Sequence, residues 1–276
     1  MKYGAVIVTF NPNVIFLDLL YTLKNHNFEI VVVDNCSEDR CLLSDINVKL
    51  IENVTNVGIA AALNQGLRYI STMGVTWSYT FDQDSMPSSN MLKQIISYIY
   101  LFYEKKVASI APRFVCSNHY LESTGYFYKD SVITSGNLIN IEAYTKIGGF
   151  KSELFIDSVD FEFCLNLRKH GYNIIQVNDA ILFHGLGDPK NITIFGKKIQ
   201  LSIHSSLRRY YMFRNNIYVQ KKYLNSFPLY CIKRNVVLFI EILQILFVER
   251  DKYTNFKMIL KGFYHGVMGK YGKYGS

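Results

Sequence analysis

The first half of the chain alternates short runs of apolar, β-branched residues with longer stretches in which apolar residues recur every three or four positions. Tyr3–Val8, Phe28–Val33, Val48–Ile51, Trp77–Phe81 and Val107–Ala111 have the length of buried strands. Asn13–Asn25, Ile59–Ser71 and Asn90–Lys105 have helical spacing. Strands separated by helices of this length need crossover connections, which predicts an α/β fold with a mixed, mostly parallel sheet flanked by helices. Further on, residues 112–156 read as loop and strand completing the sheet, Ser158–Lys169 as a helix, and Asn173–Val177 and Ala180–Phe183 as two short strands. Residues 201–276 read as a helical, aromatic extension, so two domains are expected, 1–200 and 201–276.

Polar residues gather where the predicted strands end, and ligands bind at the carboxyl ends of parallel strands. The first run ends in Thr9-Phe10-Asn11, the second in Asp34-Asn35, the third in Glu52-Asn53 and the fourth in Asp82-Gln83-Asp84. Any one of these could be a turn former or a helix cap. Four consecutive strands ending this way point to a site. The Gly-x-Gly-x-x-Gly turn of nicotinamide and flavin enzymes does not follow the first run.

Asp82 and Asp84 emerge from an apolar strand with one residue between them, a spacing that suits a hard divalent cation, Mg²⁺ or Mn²⁺, shared with a diphosphate. A second acidic cluster, Asp157 to Glu162, precedes the helical pattern Phe163–Lys169. It reads as a helix start, with Asp157 as N-cap and Asp160 at the third position. A carboxylate at such a terminus stays ionised and can serve as a general base, with Asp157 positioning and Asp160 facing the substrate. His184, after Ala180–Phe183 and before Gly185-Leu186-Gly187, is either a loop histidine or a further metal ligand beside Asp84.

Charge refines this picture. The chain has 276 residues, 49% hydrophobic and 15% aromatic, with a formal net charge of +8. That is enough chain for one substantial core and too apolar for a disordered protein. Residues 1–200 hold 17 Lys+Arg and 19 Asp+Glu, a net of −2, whereas residues 201–276 hold 13 and 3, a net of +10. The opening apolar run breaks at Thr9-Phe10-Asn11-Pro12, too short for an export signal, and five scattered cysteines without a Cys-x-x-Cys pair fit a reducing cytosol. The most apolar window, Val236–Val248, is interrupted by Glu241 and Gln244 and falls short of the roughly 18 residues a spanning helix needs. Lysines alternating with aromatics in the extension fit a subdomain packed on the core, a surface that meets anionic membrane, or a single-strand nucleic-acid binder. No nucleic-acid motif accompanies them, so no nucleic-acid partner is expected, and the membrane reading is preferred.

Val6-Ile7-Val8-Thr9-Phe10-Asn11, Val32-Val33-Asp34-Asn35, Asn53-Val54-Thr55-Asn56-Val57-Gly58, Asn64-Gln65-Gly66 and Phe81-Asp82-Gln83-Asp84-Ser85 together resemble the inverting family 2 glycosyltransferases of GT-A fold. Ser135-Gly136-Asn137, Gly148-Gly149-Phe150, the Asp157–Glu162 cluster and Arg208-Arg209-Tyr210-Tyr211-Met212-Phe213-Arg214-Asn215 resemble its rhamnosyltransferase branch. The resemblance spans residues 3–270 and implies a Rossmann-like catalytic domain over 1–200 that uses a nucleotide sugar, dTDP-L-rhamnose first and a UDP-hexose as the alternative. It implies donor contacts from Thr9, Phe10, Asn11, Asp34, Asn56, Gly58 and Asp82, with Asp34 on the pyrimidine. It also implies metal ligation by Asp84 with Asp82 and His184, and Asp160 as base with Asp157 in reserve. Arg208, Arg209 and Arg214 are expected either to neutralise the leaving diphosphate or to form a solvated basic face. Many relatives carry Glu-Asp where this chain has Val159-Asp160. The implied acceptor is a polyprenyl-diphosphate-linked saccharide at the cytoplasmic face of the membrane, in bacterial surface polysaccharide synthesis such as O-antigen or capsule. A non-catalytic nucleotide-sugar binding subunit is the remaining alternative.

Overall fold

The computed structural model describes residues 1–44, 46–102, 105–115, 123–184, 190–194, 197–201 and 203–275. The chain divides into two compact units, one formed by residues 1–155 and 159–184 and the other by 156–158 and 185–274.

The first unit is built on a nine-stranded sheet. Strands β1 (Tyr3–Thr9), β2 (Glu29–Asp34), β3 (Lys49–Glu52) and β4 (Trp77–Asp82) run parallel in the order β3-β2-β1-β4. They are joined through helices α1 (Ile15–Lys24) and α2 (Ile59–Thr72). β1 and β2 are apolar on both faces because helices cover both; Val6, Ile7, Val31, Val32 and Val33 are all fully buried. The other half of the sheet is mixed. It comprises β5 (Ser85–Pro87), β6 (Val107–Val115), β7 (Tyr126–Tyr128), β8 (Asn137–Asn140) and β9 (Asn173–His184), with α3 (Met91–Leu101), α4 (Ile141–Lys146) and α5 (Val159–Lys169). β8 inserts antiparallel between β4 and β6, and β5 and β7 each pair antiparallel with β9.

The mixed, mostly parallel sheet expected from the sequence is present, with one difference in its elements. The two short strands expected over 173–183 are a single strand, whose register against β6 shifts between Pro112 and Arg113, skipping residues 178–180. Pro112 has no N–H to give the ladder, so a bulge falls beside it. The displaced Asn178 N–H donates instead to Gly125 O (2.9 Å).

The second unit contains a hairpin, β10 (Lys190–Ile194) with β11 (Lys197–Leu201), and helices α6 (Ser206–Tyr223), α7 (Pro228–Val248) and α8 (Lys252–Val267). α6 and α8 touch backbone to backbone, because a Cβ at Gly262 would lie 2.4 Å from Tyr210 O and one at Gly266 would lie 2.8 Å from Arg214 O. Arg209 is fully buried between carboxylates. Its Nε donates to Glu241 (2.8 Å), its Nη1 to one oxygen of Glu249 (2.8 Å) and its Nη2 to the other. Asn255 also donates to Glu249 (3.0 Å), so one guanidinium ties α6 to α7 and to the residues entering α8.

Removing one partner of such a buried network costs about 3–5 kcal/mol, because the remaining charges stay desolvated and uncompensated. Arg209→Ala is therefore expected to lower the unfolding free energy by about that amount. A urea midpoint unchanged within error would show that the network does not hold the helices.

Candidate functional site

The sheet order brings the four polar strand ends side by side. Thr9 lies opposite Asp34, Asp34 opposite Glu52, and Val8 opposite Asp82, so the carboxyl ends of β3, β2, β1 and β4 form one continuous edge. Asp34 is the anchor of this edge. It is fully buried, accepting from Thr9 Oγ1 (3.0 Å) and Ser37 Oγ on one oxygen and from Ser37 N (2.9 Å) on the other. Thr9 is equally buried. The expected contact of Asp34 with a pyrimidine is thereby corrected: its side chain lies under the cradle and sets the turn, because both oxygens already hold protein donors and no surface reaches solvent. Phe10, 46% exposed, is the group at this edge with a free aromatic face.

Asn11 adopts a left-handed backbone (φ 50°), with its N–H donating to Ser37 Oγ (2.7 Å) and its Oδ1 accepting from Glu38 N (2.8 Å). Asn56 Oδ1 accepts from Asn35 Nδ2 (3.0 Å) and from Gly58 N (3.0 Å), while Asn35 Oδ1 accepts from Val57 N (2.9 Å). These amides fold the turn leading into α2. Gly58 (φ 84°) has no room for a side chain, since a Cβ would lie 2.5 Å from the carbonyl oxygen of Phe155. The group that approaches this glycine is protein backbone.

Asp82 ends β4 and Asp84 sits in the turn to β5, both partly exposed. Two residues absent from the expected site build this turn. Gln83 clamps the end of β1, its Oε1 accepting from Phe10 N (2.7 Å) and its Nε2 donating to Phe10 O (3.1 Å). Ser135, fully buried, accepts from Asp82 N (3.3 Å) and shares a hydrogen bond with Ser85 Oγ. The sequence signal for both was adjacency to a motif, in Asp-Gln-Asp and in Ser-Gly-Asn. β9 returns His184 to a register position opposite Ser85, next to Asp84 in the chain, although its side chain and residues 185–187 lie outside the described portion. Among the described residues no three His, Cys, Asp or Glu side chains converge as a metal cage. A pair of carboxylates in an open turn nonetheless suits a hard cation that takes its other ligands from phosphate and water.

Asp160 is the second residue of α5, with Phe161 N–H donating to its Oδ1 (2.9 Å). The helix is seated by Phe163, whose ring stacks on Phe150 (centroids 4.1 Å, interplanar angle 25°). The cysteine of the same helix, Cys164, is buried, and burial pushes its thiol up to about 12, so thiolate chemistry is excluded there.

In the second unit, Asp157 does not cap α5, and this corrects the expected helix start. Its backbone is left-handed (φ 62°), and its carbonyl accepts from Asn215 Nδ2 (2.8 Å). Its Oδ1 pairs with Arg208 Nε (3.3 Å), and its buried Oδ2 has no hydrogen-bond partner. Burial raises the carboxyl above its ordinary value, and Arg208 pulls it part of the way back. The expected diphosphate arginines also separate. Arg209 is committed to Glu241 and Glu249. Arg214 is buried, donating to Gly272 O (2.6 Å) with its guanidinium 4.8 Å from the Tyr211 ring centroid. Neither side chain is available to a donor. Arg208, paired with Asp157, is 51% exposed.

Residues 5–151 match the family described as glycosyl transferase family 2. The chain is also 32% identical to the dTDP-rhamnosyl transferase RfbF of Shigella flexneri over 290 residues, 96% of this chain and 95% of the relative. The chain belongs to glycosyltransferase family 2. Among solved structures this glycosyltransferase is similar to Staphylococcus aureus TarS residues 1–349, with TM-score 0.62 and 16% identity over 97% of this chain and 81% of that one. It is similar too to GalNAc-T7 with UDP, GalNAc and Mn²⁺, with TM-score 0.64 and 12% identity over 97% and 56%. Its fold is GT-A, as these neighbours share.

Because the carboxyl of Asp157 is raised in the folded glycosyltransferase, its protonated form is the stabilised one. The associated stability is present below an aspartate's ordinary value, about 3.9, and is lost as pH rises through the folded-state value. Arg208→Gln removes the neighbour that lowers it, so Asp157 is expected to titrate at still higher pH in carboxyl-selective NMR. An unmoved titration would show that the pair does not form in solution.

Proposed function

We propose that this glycosyltransferase moves L-rhamnose from dTDP-L-rhamnose, with inversion, onto a polyprenyl-diphosphate-linked saccharide at an anionic membrane surface. The observation that carries the donor assignment is the similarity to a dTDP-rhamnosyl transferase across nearly the whole of both chains. The site supports the chemistry. Phe10, Asn11 and the Asn35–Asn56 amide pair border the nucleoside, on a wall fixed by Thr9, Asp34 and Ser37. Asp82 and Asp84 would hold Mg²⁺ or Mn²⁺, which when bound neutralises the diphosphate. Asp160 takes the proton from the acceptor hydroxyl as that oxygen attacks the anomeric carbon from the face opposite the diphosphate, so one displacement inverts the centre.

The decisive assay is a donor screen with Mg²⁺ and with Mn²⁺, reading released dTDP or UDP. dTDP-L-rhamnose is expected to be turned over selectively. Selective use of a UDP-hexose would replace the donor while keeping the family, and salt-sensitive nucleic-acid binding without any turnover would overturn the enzyme reading. Asp160→Asn is expected to slow transfer by about 10²–10⁴-fold, with donor binding preserved. Full activity would move the base elsewhere.

The membrane reading is supported by the second unit. Among the described residues no helix is long and apolar enough to cross a membrane. α7 buries Cys231, Leu238, Glu241 and Ile245 and exposes Leu229, Ile232, Val236, Phe239, Ile240 and Phe247, a second apolar face inside the stretch of net charge +10. Such a helix lies in the interface plane, where apolar burial and Lys/Arg attraction, about 1 kcal/mol per basic residue, act together. Phe239→Glu with Phe247→Glu is expected to weaken sedimentation with phosphatidylglycerol vesicles at least tenfold. Equal sedimentation of both proteins, or no preference over phosphatidylcholine vesicles, would refute the docking.

A further inference from the structure

The Asn64-Gln65-Gly66 sequence on α2 has no part in the chemistry above, yet each residue makes a distinct contact. Gly66 faces the sheet, where a Cβ would lie 2.3 Å from Val6 Cγ1 and 3.2 Å from Val33 Cγ2. Gln65 exchanges two hydrogen bonds with Asn53 beyond the end of β3, donating to Oδ1 (2.8 Å) and accepting from Nδ2 (2.9 Å). It therefore holds α2 to the donor edge. Asn64 holds the opposite side. Its Nδ2 donates to Phe150 O (2.8 Å) and to Ser152 Oγ (3.2 Å), and its Oδ1 accepts from Phe150 N (3.0 Å) and Tyr144 Oη (2.9 Å). This amide is buried to 2% exposure with its hydrogen-bonding capacity used, and both backbone groups of one residue, Phe150, end on it.

Phe150 is the residue whose ring stacks on Phe163, one helical turn after Asp160. The same segment is tied to α2 a second time, where Ile59 N–H at the helix start donates to Phe155 O (2.8 Å). Gly149, immediately before Phe150, is left-handed (φ 71°), and a Cβ there would lie 2.7 Å from Asn64 Oδ1. The chain over 149–155 is thus strapped to α2 at both ends, and the ring it presents seats the helix that carries Asp160.

We propose that Asn64 is a positioning residue for Asp160, acting through the Phe150 backbone and the Phe150–Phe163 stack, so that α2 sets the distance between the donor edge and the base. This rests on the assignment of Asp160 as the base. The role is separable from donor binding, because Gln65 and the Asn35–Asn56 pair hold the donor edge without Asn64.

The test compares Asn64→Ala and Phe150→Leu with the parent enzyme, measuring kcat with saturating donor and acceptor and, separately, the calorimetric Kd for dTDP. Phe150→Leu keeps the backbone bonds and an apolar side chain and removes only the stack, so it serves if the buried amide cannot be lost without unfolding. Both variants are expected to lose at least tenfold in kcat while the Kd for dTDP stays within twofold. A parallel loss of kcat and dTDP affinity would reduce Asn64 to general scaffolding and overturn the proposal, as would an unchanged kcat in Phe150→Leu. Asp160→Asn measured beside them keeps the two readings apart: if it retains turnover, the base assignment fails, and if it is inactive while Phe150→Leu is unaffected, only the positioning role fails.

Discussion

Helix α2 lies so close to strands β1 and β2 that one position on it tolerates no side chain, and the geometry of the first unit follows from that seat. Gly66 lets the helix press on Val6 and Val33, and from there Gln65 reaches Asn53 while Asn64 reaches Phe150. At the helix start, Gly58 lets the carbonyl of Phe155 cap Ile59 N–H. A helix standing farther off by the radius of a methyl group would break these short polar contacts together, because hydrogen bonds weaken steeply with distance and buried partners left without them are costly. Close packing is here a means of placing polar groups.

Much of this was legible in the sequence. The parallel half of the sheet could be read because strands buried on both faces are continuous apolar runs, and the strand-end carboxylates stand out against them. What stayed hidden depended on partners distant in sequence. Asp34 looks like a ligand group until Thr9, 25 residues earlier, and Ser37 are seen to fill its oxygens. Arg209 looks like part of a basic face until Glu241 and Glu249, 32 and 40 residues later, enclose it. Periodicity reports which face of an element is apolar; it carries nothing about which charge will be met there. The merging of two expected strands into β9 had the same cause, since the bulge is set by Pro112 on the neighbouring strand.

The second unit sets an ionic network beside its apolar core of Met212, Phe213, Leu238, Ile245 and Ile259. Its interior holds a guanidinium between two carboxylates, and its surface displays the apolar face of α7. Buried ionic networks add little net stability over apolar packing of the same shape, but a half-formed one is heavily penalised. Three helices held this way keep one arrangement even though much of their apolar surface is not spent on each other. That is a suitable construction for a surface that must stay apolar while the unit remains folded.

Gln83 clamps the turn between Asp82 and Ser85 to the end of β1. Its two bonds to the backbone of Phe10 join the residue between the aspartates to the residue that follows β1, as a basting stitch joins two hems. The turn and the cradle therefore share one coordinate frame, and a thermal excursion of one carries the other with it. The chain length between Phe81 and Ser85 is fixed, since adding or deleting one residue there would put Gln83 out of reach of Phe10 and uncouple the aspartate turn from the end of β1.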